Sequence, residues 1–334
     1  MFNKICIYGA GAIGGWIGAR LAAQGHPINV VARGATLQAL RTHGLRLREG
    51  QGEAEHERER EQAFDVHAVE HPADLGAQDL VIVAVKAPAM ADVARAISPL
   101  IGPQTVVLTA MNGVPWWFLQ GFGGALQGRV LESVDAGGAI AQAIPAAHVI
   151  GCVVHASCSV DAPGVIRHRN GAGLIVGEPG GGTSARAQAL LALLEKAGFE
   201  ATLSAQIQRD VWYKLWGNMT INPVCGLTGA PSDRVLDDDL VRGFVSAVML
   251  EAREIGARIG IPIDQTPQDR HAVTRKLGSF RPSMLQDVDA GRAVEIDALV
   301  GAVRELGQLT DVPTPFTDAL LGLSRLHAQI RGLY

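Results

Sequence analysis

The alternation of apolar and polar positions over residues 1–33 predicts a strand, a glycine turn, a helix and a second strand. Residues 4–8 and 28–32 are short apolar runs, and a helical pattern extends through Gln24. The turn between them reads Gly-Ala-Gly-Ala-Ile-Gly. Gly9 permits a tight turn, Gly11 lets the backbone approach a pyrophosphate, and Gly14 lets the helix lie close to the strand. Because a helix N-terminus also attracts anions, we predict a dinucleotide site here.

The end of the second strand indicates which dinucleotide binds. Arg33 follows this strand, and no carboxylate stands where NAD enzymes hold the ribose 2′-hydroxyl. A guanidinium suits a 2′-phosphate, so the sequence favours NADP(H) over NAD(H). The alternative is that Arg33 is a solvated loop residue.

Two further apolar runs, residues 79–85 and 104–109, are typical of strands buried in a parallel sheet, with a helix predicted between them over residues 90–100. They lead into Lys86 and Asn112. Ligands in open α/β sheets bind beyond the carboxyl ends of the strands, so both residues are candidates for a site. Alternatively, Lys86 is a surface lysine that begins a helix and Asn112 is a left-handed turn residue before a glycine.

The segment from 130 to 177 shows strand and turn signals, including two strands around Asn170 and Gly171, and predicts an antiparallel extension of the sheet. A helix over residues 185–197 and a last strand over 199–203 follow. The charged run of residues 49–61 has almost no apolar face and predicts a solvated hairpin.

From residue 206 onward the pattern is mostly helical, so we place a domain boundary near residue 204. The predicted domains are 1–204, an α/β nucleotide-binding domain, and 205–334, an all-α substrate and catalytic domain. A chain of 334 residues with 48% hydrophobic content can bury two cores.

The composition limits which partners and which cellular compartment we expect. The formal net charge of -4 gives no basic field for nucleic acid. The four cysteines lack zinc-like spacing, and Cys152 and Cys158 lie on a predicted strand that points His155 to the opposite face, so we expect free cytosolic thiols and no metal. No apolar stretch is long enough to predict a membrane span, and a cytoplasmic location is expected.

A polar stripe marks the first helix of the second domain. Lys214, Asn218 and Asn222 recur every four residues among apolar neighbours, so they share one helix face. Either this face is part of a site, or it belongs to an interdomain helix whose polar stripe meets water. Pro223 disfavours helical geometry at Asn222, which is therefore expected just beyond the regular stripe.

Two polar residues near predicted helix starts have alternative interpretations. Ser283, with Gln286 three residues later, fits a capping box. Glu295 fits a first-turn carboxylate that complements a helix dipole. Both are also candidates for substrate contact.

The chain resembles the ketopantoate reductases (2-dehydropantoate 2-reductases) over nearly its whole length. The resemblance is carried by separated motifs in the family's order: Gly9 to Gly14, Val85-Lys86, Asn112-Gly113, Lys214-Leu215 with Asn218, Ile221-Asn222-Pro223, Ser283-Met284 with Gln286-Asp287, and Glu295-Ile296-Asp297. It implies an N-terminal Rossmann-like, doubly wound sheet and a helical C-terminal domain.

The resemblance also implies the reaction, which is reduction of ketopantoate to pantoate with NADPH on the pathway to pantothenate and coenzyme A. Lys214 is then the general acid, and Glu295 is the second catalytic residue. The implied substrate-binding residues are Lys86, Asn112, Asn218, Asn222 and Ser283. The implied cofactor-binding residues are Gly9, Gly11, Ala12, Ile13, Gly14, Arg33, Lys86 and Asn112.

The sequence departs from the family pattern at Met111, in the bulky residues 115–118 and in the charged insert of residues 49–61. Two alternatives therefore stay open: a reductase of another 2-oxo acid or related carbonyl, and a non-catalytic NADP(H) sensor. The expected partners are a small 2-oxo acid and, as an option, a second copy of the chain, with neither nucleic acid nor a membrane.

Overall fold

The computed structural model describes residues 2–50 and 60–334 of the chain, which form two compact units. The first unit contains the described residues up to Met111 together with Ala139–Ile207, and the second contains Asn112–Gly138 together with Gln208–Tyr334. Residues 112–138 thus belong to the second unit, whereas a single division near residue 204 places them in the first domain. A boundary at residue 204 between separately folding domains stays a prediction.

The described part of the first unit has the following strands and helices: β1 (Ile5–Tyr8), α1 (Ala12–Ala23), β2 (Ile28–Val31), α2 (Gly34–His43), β3 (Leu45–Glu49), β4 (Arg60–Phe64), β5 (His67–Val69), β6 (Gln78–Val83), α3 (Met90–Ala96), β7 (Ile101–Ala110), α4 (Ala139–Ala143), β8 (Val149–Ala162), β9 (Val165–Gly177), α5 (Ala185–Lys196) and β10 (Glu200–Leu203).

Helices α6 to α12 follow: α6 (Ile207–Thr228), α7 (Ser232–Asp237), α8 (Asp239–Arg258), α9 (Pro267–Arg275), α10 (Ser283–Asp289), α11 (Ala302–Leu309) and α12 (Pro315–Ile330). A π-helical turn, Asp297–Gly301, leads directly into α11.

The sheet has a parallel core in the order β5-β2-β1-β6-β7-β8, extended beyond β8 by β9, β3 and β4. In the register of the core, Ile7 of β1 lies opposite Val30 of β2 and Ile82 of β6. Strand β9 is antiparallel to β8 and long enough to pair in parallel with β3 along one half and with β10 along the other. The predicted fold class is confirmed: an α/β unit with an antiparallel extension, plus a helical C-terminal part.

The sheet curls around α1. Strands β4 and β5 lie at opposite ends of the strand order, yet only residues 65 and 66 separate them, so these edges are within roughly 11 Å of each other. Helix α1 therefore has strands on more than one side, and its glycines make room for them. A Cβ atom at Gly15 would lie 2.6 Å from Ile166 of β9, and one at Gly18 would lie 3.0 Å from Ile7 of β1.

The second unit is organised around α6, whose tryptophans are buried. Trp216 donates its indole N–H to the carbonyl oxygen of Met249 in α8 over 2.7 Å. Trp212 fills the space left by a glycine of that helix, since a Cβ atom at Gly256 would lie 2.4 Å from its indole nitrogen. Fully burying one such side chain is worth roughly 1.5–3 kcal/mol or more, which fixes α8 against α6.

Three local predictions were wrong. Asn170 lies inside β9, and the hairpin turn falls at residues 162–165 instead; Gly171, with φ +73°, faces a register shift in β8, as in a β-bulge. Residues 130–148 contain turns and α4 instead of strands. Helix α6 continues through Pro223, so Asn222 is helical, because the buried neighbours on every side outweigh the local preference of a residue before proline.

Strands β3 and β4 flank the charged run and pair antiparallel, with Glu49 opposite Arg60. Residues 51–59 of that run, with most of the predicted hairpin, lie outside the described residues. Within the described residues, no helix is both long and apolar enough to cross a bilayer.

Candidate active site

The glycine turn stands between β1 and α1. Gly9 has φ +96°, and its N–H donates to the carbonyl oxygen of Val31, so the turn is tied to the end of β2. Gly14 is pressed against the turn, since a Cβ atom there would lie 2.1 Å from the carbonyl oxygen of Gly9. A Cβ atom at Gly11 would meet nothing within 4 Å, which leaves open space at the start of α1.

The start of α1 suits a diphosphate. The first N–H groups of a helix have no acceptor within the helix, and here they belong to Ala12, Ile13 and Gly14. No acidic residue stands in the first turn to compete with an anion. A nucleotide diphosphate therefore fits the open side at Gly11, with these N–H groups as donors.

Arg33 and Lys86 lie at the carboxyl ends of neighbouring parts of this sheet. Arg33 lies two residues beyond Val31, the last residue of β2, and is exposed, with its Nη1 3.5 Å from Oδ2 of Asp92. Lys86 follows β6, is half-buried, and precedes the 3₁₀ turn Ala87–Ala89. Both residues therefore lie beyond the carboxyl ends of strands, where ligands bind in open α/β sheets.

A direct contact between two of the predicted site residues lies in the second unit. Lys214 of α6 donates a hydrogen bond from Nζ to Oδ1 of Asn112 over 2.8 Å, although the two residues are 102 positions apart in sequence. Asn112 does not adopt the left-handed conformation; Gly113 does, with φ +82°. The alternative interpretation of Asn112 as a left-handed turn residue is therefore wrong.

Asn112 is held near the segment that carries Glu295. A Cβ atom at Gly113 would lie 2.7 Å from the carbonyl oxygen of Ala298, and Val114 donates its N–H to that same oxygen over 2.8 Å. Ala298 belongs to the π-helical turn, and half-buried Glu295 lies two residues before this turn. Such turns occur often at functional sites.

The stripe on α6 is largely withdrawn from solvent. Lys214 and Asn218 are half-buried and Asn222 is 6% exposed, which does not fit a helix face that simply meets water. One turn beyond Asn222, Gly226 faces Met284 of α10, with 3.3 Å between a Cβ atom at the glycine and Cγ of the methionine.

Ser283, which is exposed, is the first residue of α10 and directly precedes Met284. The predicted capping box at Ser283 is wrong, because the N-cap is Pro282 and Gln286 donates to the carbonyl oxygen of Arg281. The structure thus brings Asn112 to Lys214 and α10 to the far end of the stripe.

The bulky residues after Asn112 belong to the core of the second unit. Trp116, Trp117 and Phe118 are all at most 4% exposed, and the rings of Phe118 and Trp212 lie 5.9 Å apart. These three residues therefore pack beside α6, and what they imply for the substrate stays a prediction.

The sequence did not reveal the role of Glu305, which holds part of the segment 112–138 against α11. Glu305 of α11 accepts hydrogen bonds from the backbone N–H groups of Glu132 and Ser133 and from the Ser133 hydroxyl. The sequence also did not reveal Tyr8 and Asp92 beside Arg33. No local motif marks any of the three, since each acquires its neighbours only through the fold.

These features define a class: an oxidoreductase that uses a nicotinamide nucleotide. The family described as ketopantoate reductase PanE/ApbA matches residues 5–181, and its C-terminal part matches residues 206–328. The chain belongs to the ketopantoate reductase family, as its motifs predicted.

Relatives cover the chain from end to end. A 2-dehydropantoate 2-reductase from Mesorhizobium japonicum is 44% identical over 332 residues, which are 99% of each chain. A provisionally named ketopantoate reductase from Ralstonia solanacearum MolK2 is 57% identical, with a TM-score of 0.94 and complete coverage of both chains.

Two solved structures of lower identity share the fold. A D-mandelate dehydrogenase with NADH and anilino(oxo)acetate is 22% identical with a TM-score of 0.82 and covers 99% of this chain and 100% of its own. A dimeric ketopantoate reductase from Staphylococcus aureus is 19% identical with a TM-score of 0.73 and covers 98% and 99%.

Proposed function

We propose that this protein reduces 2-dehydropantoate (ketopantoate) to pantoate with NADPH. The observation that carries the proposal is the hydrogen bond from Lys214 to Asn112, on a half-buried face that also presents Asn218 and Asn222. An amide oxygen accepts from the ammonium group without a charge of its own. Asn112 thereby orients the Lys214 ammonium group, which in this proposal faces the substrate.

Lys214 acts on the carbonyl oxygen. When a hydride adds to a ketone carbon, negative charge develops on that oxygen, and a nearby ammonium group stabilises it. Lys214 then transfers a proton to the oxygen, so that the alcohol forms and the lysine is left neutral until it takes a proton from solvent. Bound NADPH supplies the hydride.

The neighbouring polar residues orient the substrate. Asn218, Asn222 and Ser283 offer uncharged donors to the carboxylate of a 2-oxo acid, and they do not neutralise Lys214. Glu295 offers a carboxylate oxygen, which accepts a hydrogen bond from the hydroxyl group on the far carbon of ketopantoate. In this arrangement the uncharged donors bind the carboxylate of the 2-oxo acid, and Glu295 binds the hydroxyl group.

The proposed cofactor contacts come from the first unit, apart from Asn112, which belongs to the second. The N–H groups of Ala12, Ile13 and Gly14 suit the diphosphate, because Gly11 leaves the approach open. Arg33 suits the 2′-phosphate of NADP(H), and Lys86 and Asn112 are proposed to hold the cofactor and the substrate. Gly9 completes the turn through its positive φ.

A second candidate is reduction of a different 2-oxo acid. It is favoured by the D-mandelate dehydrogenase that shares this fold and was solved with NADH and anilino(oxo)acetate. An aryl 2-oxo acid lacks the hydroxyl group that Glu295 is proposed to bind. The two candidates therefore differ in the substrate that Glu295 favours.

The proposal is tested by steady-state oxidation of NADPH and NADH with ketopantoate, 2-oxoisovalerate and an aryl 2-oxo acid. We expect the highest kcat/KM for ketopantoate with NADPH. A higher kcat/KM for the aryl acid with either cofactor would replace the proposal with the second candidate.

A second copy of this chain is the protein partner that we propose. The exposed face of α12 carries Phe316, Leu323, Leu326 and Ile330, which are spaced by seven, three and four residues, as in a helix-pairing seam. Phe244 of α8 extends this face through an edge contact with Phe316. Two copies related by a twofold axis would bury the same face on each. A ketopantoate reductase from Staphylococcus aureus that shares the fold is dimeric.

A further inference from the structure

A carboxylate engages the arginine that is proposed to read the 2′-phosphate. Asp92 of α3 lies 3.5 Å from Nη1 of Arg33, 59 positions away in sequence, and it also pairs with Arg95 one turn further along its own helix. The side chains of Arg33 and Asp92 are 61% and 49% exposed. The pair is therefore accessible to a ligand that approaches from solvent.

Tyr8 shows that this pair belongs to the nucleotide end of the sheet. Tyr8 ends β1, directly before the glycine turn, and its ring is 5% exposed. Burial raises the pKa of its phenol; the charge on Arg33 lowers that pKa and the charge on Asp92 raises it, so both charges lie near the ring. Its hydroxyl has no hydrogen-bond partner among residues 2–50 and 60–334. A buried, unsatisfied donor beside the turn suits a polar ligand group.

We propose that Asp92 sets the selectivity between NADPH and NADH by competing with the 2′-phosphate for Arg33. This inference rests on the proposed use of NADP(H). The Asp92 carboxylate contacts the same guanidinium group that a phosphate oxygen would bind. A 2′-phosphate must displace that carboxylate and then lie beside its negative charge.

The cost of this competition falls on one cofactor only. NADH has a 2′-hydroxyl, which needs no contact with Arg33 and can donate a hydrogen bond to a carboxylate. Asp92 therefore weakens NADPH binding and leaves NADH binding unchanged or slightly improved. Because the groups are exposed, we expect an effect of roughly three- to tenfold that shrinks as salt screens the charges.

The decisive variant is Asp92→Asn, compared with wild type by isothermal titration of NADPH and NADH. We expect the Kd for NADPH to fall roughly three- to tenfold, and the Kd for NADH to stay equal or rise. In an Arg33→Ala background the same substitution should improve the NADPH affinity by less than in wild type, because the group for which Asp92 competes is gone and only the repulsion between its charge and the phosphate is relieved.

A matched control is Asp161→Asn. Asp161 is also shared by two arginines, Arg48 and Arg167, but it lies on the β3, β8 and β9 part of the sheet. The Asp161→Asn substitution should leave the affinities for NADPH and NADH unchanged. An unchanged or weakened NADPH affinity in Asp92→Asn would overturn the inference, since Asp92 would then be neutral or would help to orient Arg33.

The same measurements distinguish a failure of the proposed cofactor assignment from a failure of the inference about Asp92. If wild type binds NADPH and NADH equally and Arg33→Ala changes neither affinity, the use of Arg33 for a 2′-phosphate is wrong, and the inference falls with it. If Arg33→Ala weakens only NADPH while Asp92→Asn has no effect, only the inference about Asp92 is wrong.

Discussion

Lys214 is the residue on which the proposed chemistry depends most. Its Nζ is held 2.8 Å from the Asn112 amide oxygen. Lys214 belongs to the second unit, whereas the glycine turn belongs to the first. Lys214→Ala should lower kcat by roughly 10²–10⁴-fold with little change in the Kd for NADPH, because the general acid is lost and the cofactor contacts are kept. Lys276→Ala, which removes an exposed lysine at the end of α9, is the control. Nearly full kcat in Lys214→Ala would remove this residue from the mechanism.

Glu295 is the residue that should distinguish ketopantoate from other 2-oxo acids. A site that hydrogen-bonds a substrate hydroxyl rejects an analogue that lacks it, because its own polar group is then left unpaired. Glu295→Gln should therefore lower kcat/KM for ketopantoate by more than for 2-oxoisovalerate, with Tm near that of wild type. Kinetics with both substrates and a thermal melt measure this.

The matched control for Glu295 is Glu251, a carboxylate that caps a helix. Glu251 accepts hydrogen bonds from the N–H groups of Phe316 and Thr317 at the start of α12. Glu251→Gln should cost roughly 0.3–1 kcal/mol of stability and leave the substrate ratio unchanged. If Glu295→Gln behaves in the same way, Glu295 is only a helix-start charge.

The sequence could supply the candidate residues, but it could not supply their contacts. The four-residue spacing of Lys214, Asn218 and Asn222 predicted one face, and the structure gives that face through a continuous α6. No sequence pattern predicts that Asn112 contacts Lys214, which is 102 positions away. Pairings of this kind depend on tertiary packing, as does the ion pair between Arg33 and Asp92.

At the scale of elements, α1 shows how one glycine motif serves two purposes. Gly14→Ala should destabilise the protein by roughly 1–3 kcal/mol, because the new Cβ atom would lie 2.1 Å from the carbonyl oxygen of Gly9, and this exceeds the gain of about 1 kcal/mol in helix propensity. Gly11→Ala meets no atom within 4 Å, so stability should be kept while nucleotide affinity falls. Denaturant unfolding and NADPH titration check both variants. Equal stability of the two would contradict this division of roles.

The type of secondary structure was predicted best for segments that are buried within the parallel sheet. The apolar runs that became β1, β2 and β6 are enclosed in a parallel sheet, so their local pattern and their environment agree. Asn170 and Pro223 were misread because a turn signal and a helix-breaking signal are local, whereas a paired β8 and a buried α6 decide the outcome. Local preferences of about 1–3 kcal/mol yield to tertiary packing that contributes several kcal/mol.

At the scale of the whole molecule, the proposed dimer gives a direct test of the α12 face. Leu326→Asp places a charge in the proposed seam and should convert a dimer into a monomer, with kinetics of unfolding and far-ultraviolet circular dichroism showing that the fold is kept. Leu277→Asp, at an exposed leucine outside α12, is the control and should stay dimeric. Sedimentation equilibrium measures the mass. A monomeric wild type at micromolar concentration would contradict the proposed partner.

The organisation of the chain into units was less accessible from sequence than its elements. The change from mixed to helical pattern near residue 206 is local and visible, whereas the membership of residues 112–138 in the second unit depends on contacts such as those of Glu305 with Ser133. A helical pattern carries no information about which unit an intervening loop joins. The family match supplies the activity class, and the substrate remains the proposal.

The measurement that tests that proposal most directly is product analysis. The purified protein is incubated with ketopantoate and NADPH, and pantoate is quantified by mass spectrometry together with the NADPH consumed, with Lys214→Ala in parallel. The account predicts equimolar formation of pantoate and loss of NADPH in wild type, and a rate lower by roughly 10²-fold or more in the variant. NADPH loss without pantoate, or no turnover of ketopantoate alongside rapid turnover of another 2-oxo acid, would contradict it.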